Sequence, residues 1–189
     1  MSDKTQKLTV SIASANIFGL ILFVVSAFLV GALWYLLYGN ITITDAGSVL
    51  ALSHSRLAAF LPIVMLLCFV DGVFLHELIH GFFFSLFADK HWRSIHLGVM
   101  WKVFTPYCHC DEPLRKNQYI IGVLAPMVIL GLMPLVLGFY FRDIFVVAWG
   151  VIFIDAAAGD ILIAWKLRNL ASSSMVLDHP KEPGCIIYD

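Results

Sequence analysis

This sequence contains little charge. Only 13% of its 189 residues are charged and 60% are hydrophobic, whereas a soluble domain carries about 25% charged residues. We therefore predict an integral membrane protein. The 12 Lys and Arg are balanced by 13 Asp and Glu, which gives a net charge of -1. Without an excess of positive charge to bind phosphates, nucleic acid is not expected as a partner.

Cysteine is also scarce, and the four that occur do not form the pattern of a disulfide scaffold. Cys68 lies inside an apolar run, and only Cys108 and Cys110 are near neighbours. We expect this pair to face the reducing cytosol as thiols. The run Cys108-His109-Cys110 lacks the C-x-x-C spacing of zinc sites, so we interpret it as a segment at the membrane interface rather than as a second metal site.

Four apolar runs are each long enough to cross the hydrocarbon core of a bilayer, which takes about 20 helical residues. We place the spans at about 13–38, 58–87, 119–141 and 144–167. They predict an all-α membrane protein with four transmembrane helices in a single domain, residues 1–170. The tail, residues 171–189, contains Ser172–Ser174, Pro180 and Pro183, and we expect it to be a loosely ordered cytosolic end.

The distribution of basic residues predicts the orientation of these spans, because Lys and Arg are enriched in short cytoplasmic segments. Ten of the twelve lie in the N-terminus, in the segment after the second span and in the tail. Arg56 and Arg142 fall on the opposite side. We therefore predict a multi-pass protein of the cell membrane, surrounded by lipid, with both termini in the cytoplasm.

The connection between the second and third spans, about 88–118, is the only one with room for further structure. Alternate residues are apolar at Ile95, Leu97, Val99, Trp101 and Val103. This period of two is typical of a strand. A short β-hairpin is the predicted structure of this loop.

The second span contains the sequence His76-Glu77-Leu78-Ile79-His80. On a helix, residues i and i+4 lie one turn apart on nearly the same face, so both imidazoles can bind one Zn²⁺ with Glu77 beside the metal. Ionisable side chains within a span are costly to bury and are normally paired or functional. The motif therefore predicts a zinc site with a general base. A purely structural role remains the alternative, in which these side chains bond to a neighbouring helix.

A catalytic zinc site usually has three protein ligands and one open position. We favour Asp160 as the third ligand, since its span runs in the same direction as that of His80 and it lies at a comparable depth. The small residues Ala156–Gly159 would let the two helices approach closely. Asp155 is the next candidate, but it lies about 140° from Asp160 around the helix, so both cannot face one metal.

Other third ligands are less favourable. Asp71 lies about 180° from His80 around the helix. The metzincin continuation would need Gly at 83 and His at 86, where the chain has Phe83 and Leu86. The remaining candidates lie outside the spans: His109, the cysteines of the 108–110 run, Glu112 and Glu182.

Several segments together carry a family resemblance: the motif at 76–80, the loop at 106–114, Ala125-Pro126 and Gly159-Asp160. In these segments the chain resembles the family of small zincin-type membrane peptidases. Its general plan is also similar to that of the site-2 protease group of intramembrane metalloproteases. The resemblance implies His76 and His80 as zinc ligands, Glu77 as base and Asp160 as third ligand.

The function that these features predict is that of a zinc-dependent endopeptidase embedded in the membrane, in which Glu77 activates zinc-bound water at the cytoplasmic face. The substrate would be a peptide or a membrane protein, and the loop at 94–105 would accept it as an added strand. One alternative is a metal-binding membrane protein without peptidase activity, either a pseudoprotease or a metal-handling protein. A transporter that uses Asp71, Asp155 and Asp160 as a polar path is less favoured.

Overall fold

A computed structural model describes residues 5–39, 60–101, 105–179 and 183–188. The α-helices are α1 (Ile12–Tyr38), α2 (Leu61–Phe87), α3 (Lys116–Pro126), α4 (Met133–Phe141), α5 (Ile144–Ala156) and α6 (Ala158–Leu167). The strands are β1 (Thr5–Thr9), β2 (Ile95–Met100), β3 (Thr105–Cys110), β4 (Leu114–Arg115), β5 (Met175–Asp178) and β6 (Gly184–Tyr188).

Within the described residues, three helical segments are long and apolar enough to cross a membrane: Ala13–Tyr38, Pro62–Phe87 and Lys116–Phe141. A fourth candidate is the pair α5 and α6, which is bent by 50°. These segments coincide with the four predicted spans, although the predicted start of the second one, at 58, lies outside the described residues. The bend at Ala157 was not predicted. It makes Asp160 part of the first turn of a new helix.

The outer faces of α1 and α2 are apolar and exposed. Leu20 is 67% exposed, Phe28 73% and Leu36 79% on α1, and α2 shows the same pattern at Leu66 and Leu67. A helix that is apolar on its solvent side is typical of a membrane span, because lipid rather than water covers it. The chain therefore has the character of a membrane protein.

The third candidate span is one helical segment with a widened turn in its middle. Pro126 has no N–H to continue the α-helical hydrogen bonds. A π-helical turn, Met127–Leu132, follows directly and leads into α4. Such widened turns inside helices often occur at functional sites.

The predicted hairpin is present between α2 and α3. Strands β2 and β3 pair antiparallel, from Ile95 opposite Cys110 to Met100 opposite Thr105. Residues 102–104, between the two strands, lie outside the described residues.

The prediction of an all-α fold needs correction, because a second sheet has the strand order β1-β6-β5-β4. Residues of the tail that we expected to be loosely ordered form its two central strands. Val176, Cys185 and Ile187 are at most 1% exposed and pack in one apolar core with Val10 and Phe84. Short strands of four and five residues leave little signal in a sequence, because their stability comes from pairing with distant segments.

The six strands of the described residues all lie at the same end of the helices, which we name the β end. Strand β1 leads into α1, β2 follows α2, β4 leads into α3, and β5 follows α6. The backbone N–H of Cys110 donates to Asp178 Oδ2 at 3.2 Å and so joins the hairpin to the sheet. The β end therefore forms a structured layer beside one end of the helices that carry the motif residues.

Candidate metal centre

Helix α2 brings the two histidines of the motif together. Their side chains lie one turn apart on the buried face, and each residue is 7% exposed. The two Nε2 atoms are 3.1 Å apart. Gly72 and Gly81 on the same helix lie against Phe153 and Ile95, so this face packs closely on α5 and on the hairpin.

Asp160 completes the group from α6. Its Oδ2 atom lies 3.1 Å from His76 Nε2 and 3.5 Å from His80 Nε2. After the bend at Ala157, α6 begins at Ala158, two residues before Asp160, and a carboxylate is favourable in the first turn of a helix. Among the described residues, these three side chains form the group whose ligand atoms converge within 4.8 Å.

The donor set fits a zinc ion. In tetrahedral coordination with bonds of about 2.0–2.1 Å, ligand atoms lie about 3.3 Å apart, close to the three separations of 3.1, 3.1 and 3.5 Å. His80 Nδ1 lies 2.9 Å from the carbonyl oxygen of Gly122. A carbonyl only accepts, so Nδ1 carries the hydrogen and Nε2 of the neutral ring presents its lone pair to the group. Two imidazoles and one carboxylate leave the fourth position of such a site open.

The competing ligand candidates lie elsewhere. Asp155 is 3.4 Å from the hydroxyl of Ser26 on α1, which donates to it. Asp71 is exposed on α2. Glu112 accepts a hydrogen bond from the backbone N–H of Lys90 and pairs with its ammonium group at 3.2 Å. Glu182 lies outside the described residues.

The cysteines of the hairpin are free thiols, as predicted. Burial raises the pKa of Cys108, and it raises the pKa of Cys110 to about 11. Neither sulfur belongs to the group of converging ligand atoms found in the described residues, which agrees with the interpretation of this run as a structural segment.

Glu77 faces a cavity of about 370 Å³ that lies between the metal centre and the β end. The backbone N–H of Cys108 faces the Glu77 carboxyl group. Residues from both helices and strands line this cavity, including Glu77, His80, Asp160, Pro106, Tyr107, Cys108, His109, Asp178 and Gly184. A molecule in this cavity would touch both the converging ligand group and the candidate base.

One edge of β3 borders this cavity. In an antiparallel pair, backbone groups point alternately towards the partner strand and away from it. The N–H groups of Cys108 and Cys110 both point away from β2, towards Glu77 and Asp178. The outward groups at Cys108 and Pro106 therefore lie on the cavity side. Proline is tolerated at this position because the backbone groups of the residue point away from β2, so no N–H is required for pairing with that strand.

Sequence reasoning missed Asp178, which belongs to the tail. Its carboxylate accepts hydrogen bonds from the Tyr119 hydroxyl at 2.5 Å and from the Cys110 backbone N–H at 3.2 Å, and His109 Nδ1 is 3.9 Å away. Burial raises the pKa of Asp178. The sequence carries no signal for this cluster, because its members come from β3, α3 and β5 and meet only in the folded chain.

A motif of two histidines and a glutamate on one helix, with a carboxylate from another helix, is the arrangement of a zincin-type metal centre. The family model described as "Putative zincin peptidase" matches residues 69–175, more than half of the chain. The chain belongs to this family, as the resemblance in its sequence predicted. Among curated proteins and among solved structures, no significant match to the chain is found.

Proposed function

We propose that the protein is a zinc-dependent endopeptidase that hydrolyses a peptide bond at or near the cytoplasmic face of the membrane. The observation that carries this proposal is the convergence of three ligand atoms from α2 and α6 at a cavity that Glu77 also lines. Family membership supports the same class of activity. The excess of basic residues at the β end supports its placement in the cytoplasm.

The ligands in this proposal are His76, His80 and Asp160. Bound zinc would polarise the scissile carbonyl group and make a water molecule more acidic. Glu77 accepts the proton of the attacking water on its carboxylate and then donates it to the leaving amine. The Cys108 N–H faces the Glu77 carboxyl group and is a favourable neighbour for its carboxylate form.

The substrate in this proposal is a peptide segment in extended conformation. A peptide bond within a helix is shielded from attack, whereas an extended segment can pair with an exposed strand edge. The carbonyl groups of Cys108 and Pro106 on the outer edge of β3 are the acceptors for such pairing. This refines our expectation for the loop at 94–105, since β3 lines the cavity with Pro106, Tyr107, Cys108 and His109, whereas β2 contributes Met100 at its end.

Replacement of the base tests the proposal. Glu77→Gln keeps the size of the side chain but removes its ability to accept a proton, so we expect zinc content to stay at the wild-type level while peptide cleavage falls by at least about 100-fold. The measurement is cleavage of an unfolded membrane-protein segment by the detergent-purified chain, with zinc content determined on the same samples.

Two results separate the proposal from its alternative. Loss of cleavage in Glu77→Gln with full zinc content agrees with a peptidase. Zinc in both proteins without cleavage by either would favour a metal-binding protein that lacks peptidase activity.

A further inference from the structure

The carbonyl oxygen of Gly122 has an unusual partner for a helical backbone group. In an α-helix this oxygen accepts the N–H of the residue four positions later. That residue is Pro126, which has no N–H. The oxygen instead accepts the Nδ1–H of His80 on α2, at 2.9 Å. A missing backbone donor in α3 thus coincides with a side-chain donor from the motif helix.

We propose that Pro126 is a positioning residue for the metal centre. It keeps the Gly122 carbonyl free of a helical donor, so that this oxygen is available to the Nδ1–H of His80. The bond fixes the hydrogen on Nδ1, sets the ring orientation and leaves Nε2 to bind the metal. This inference rests on the proposed function, because it assigns His80 the role of a zinc ligand.

The surroundings of the bond support a specific pairing. Gly122 and Pro126 are buried, and His80 is 7% exposed. Water has little access there, and a buried carbonyl without a donor is costly. The hydrogen bond therefore satisfies both the buried carbonyl oxygen of Gly122 and the ring N–H of His80.

The other histidine of the motif is not held in this way. His76 Nδ1 is buried and has no hydrogen-bond partner among the described residues. The orientation of the pair thus depends chiefly on His80, which is linked to α3, and on Asp160, which contacts both rings. Loss of the hydrogen bond between His80 and Gly122 should therefore weaken metal binding.

The substitution Pro126→Ala tests the proposal, because it supplies a backbone N–H that can bond to Gly122 and compete with His80. We expect zinc affinity to fall by about 10-fold or more, as is usual when the outer partner of a ligating histidine is lost. Pro134→Ala is the matched control, since it also returns one N–H to the same span but lies in α4, beyond the π-helical turn. The zinc affinity of Pro134→Ala should stay at the wild-type value.

The measurement is a zinc titration of the detergent-purified full chain against a chromophoric chelator. Alanine favours a helix more than proline does, so unfolding of α3 would not explain a loss of affinity in Pro126→Ala. Wild-type affinity in Pro126→Ala would overturn the proposal, and so would an equal loss in both variants.

A second readout needs no metal and therefore separates this inference from the proposed function. Nitrogen NMR shifts of the His80 ring in the metal-free chain report whether Nδ1 carries a hydrogen-bonded proton. We expect this signal in the wild type and in Pro134→Ala, and its weakening in Pro126→Ala. An unchanged signal in Pro126→Ala would overturn the inference even if the wild type bound zinc, whereas absent zinc binding alone would overturn only the proposed function.

Discussion

His80 is held by a stack of rings as well as by its hydrogen bond. Its ring lies 6.0 Å from that of Phe84, with 13° between the planes, and Phe84 stacks on Tyr119 at 5.4 Å. A Cβ atom at Gly122 would lie 2.4 Å from the Phe84 ring. At this position glycine thus makes room for the ring that supports a candidate ligand.

The substitution Gly122→Ala should therefore destabilise the protein. Overpacking of a buried site costs about 1–3 kcal/mol, and Phe84 must move away from His80. The measurement is the midpoint of thermal unfolding in detergent. Gly31→Ala is the control, because a Cβ atom there meets nothing within 4 Å, and we expect it to be neutral or slightly stabilising. Equal stability of the two variants would contradict the packing described here.

At the scale of elements, the tail strand β6 is the clearest addition to what the sequence predicted. It pairs with β1 on one side and β5 on the other. Its residues alternate between the apolar core and a more exposed face, with Ile187 buried and Ile186 half-buried. The tail thus contributes to the folded core as well as to the wall of the cavity.

A pair of neighbouring substitutions tests this role of the tail. Ile187→Ala should lower the free energy of unfolding by about 2–5 kcal/mol, as is typical of a buried isoleucine. Ile186→Ala, on the opposite face of the strand, should lower the free energy of unfolding by clearly less. Unfolding midpoints of the two variants provide the comparison. If neither differed from the wild type, the tail would not be packed on the core.

At the scale of the whole molecule, pairing of β1 with β6 places the first and last described residues at the β end, with Thr5 opposite Tyr188. The turn at Arg142 joins α4 to α5 and should lie on the other side of the membrane. We predict that reporters fused to either terminus are read in the cytoplasm, and that a tag inserted at Arg142 is accessible from outside. Termini on opposite sides would contradict both the topology and the pairing of β1 with β6.

Much of this arrangement could be predicted from the sequence. The spans, the hairpin and the proximity of Asp160 to the two histidines follow from apolar runs, alternation and depth. The bend at Ala157, the π-helical turn after Pro126 and the Asp178 cluster could not be predicted. The Asp178 cluster depends on contacts between segments far apart in the chain, and the bend and the widened turn are changes of helix geometry inside apolar runs. Hydrophobic periodicity records neither.

The central claim is that α2 and α6 hold one zinc ion together, and metal analysis of the purified chain tests it most directly. Plasma mass spectrometry of the wild type should find about one zinc per chain, as expected for a site with three protein ligands. Zinc should be lost in His80→Ala and Asp160→Asn but retained in Asp155→Asn, whose carboxylate interacts with Ser26 instead. A metal-free wild type, purified without chelator, would contradict the account.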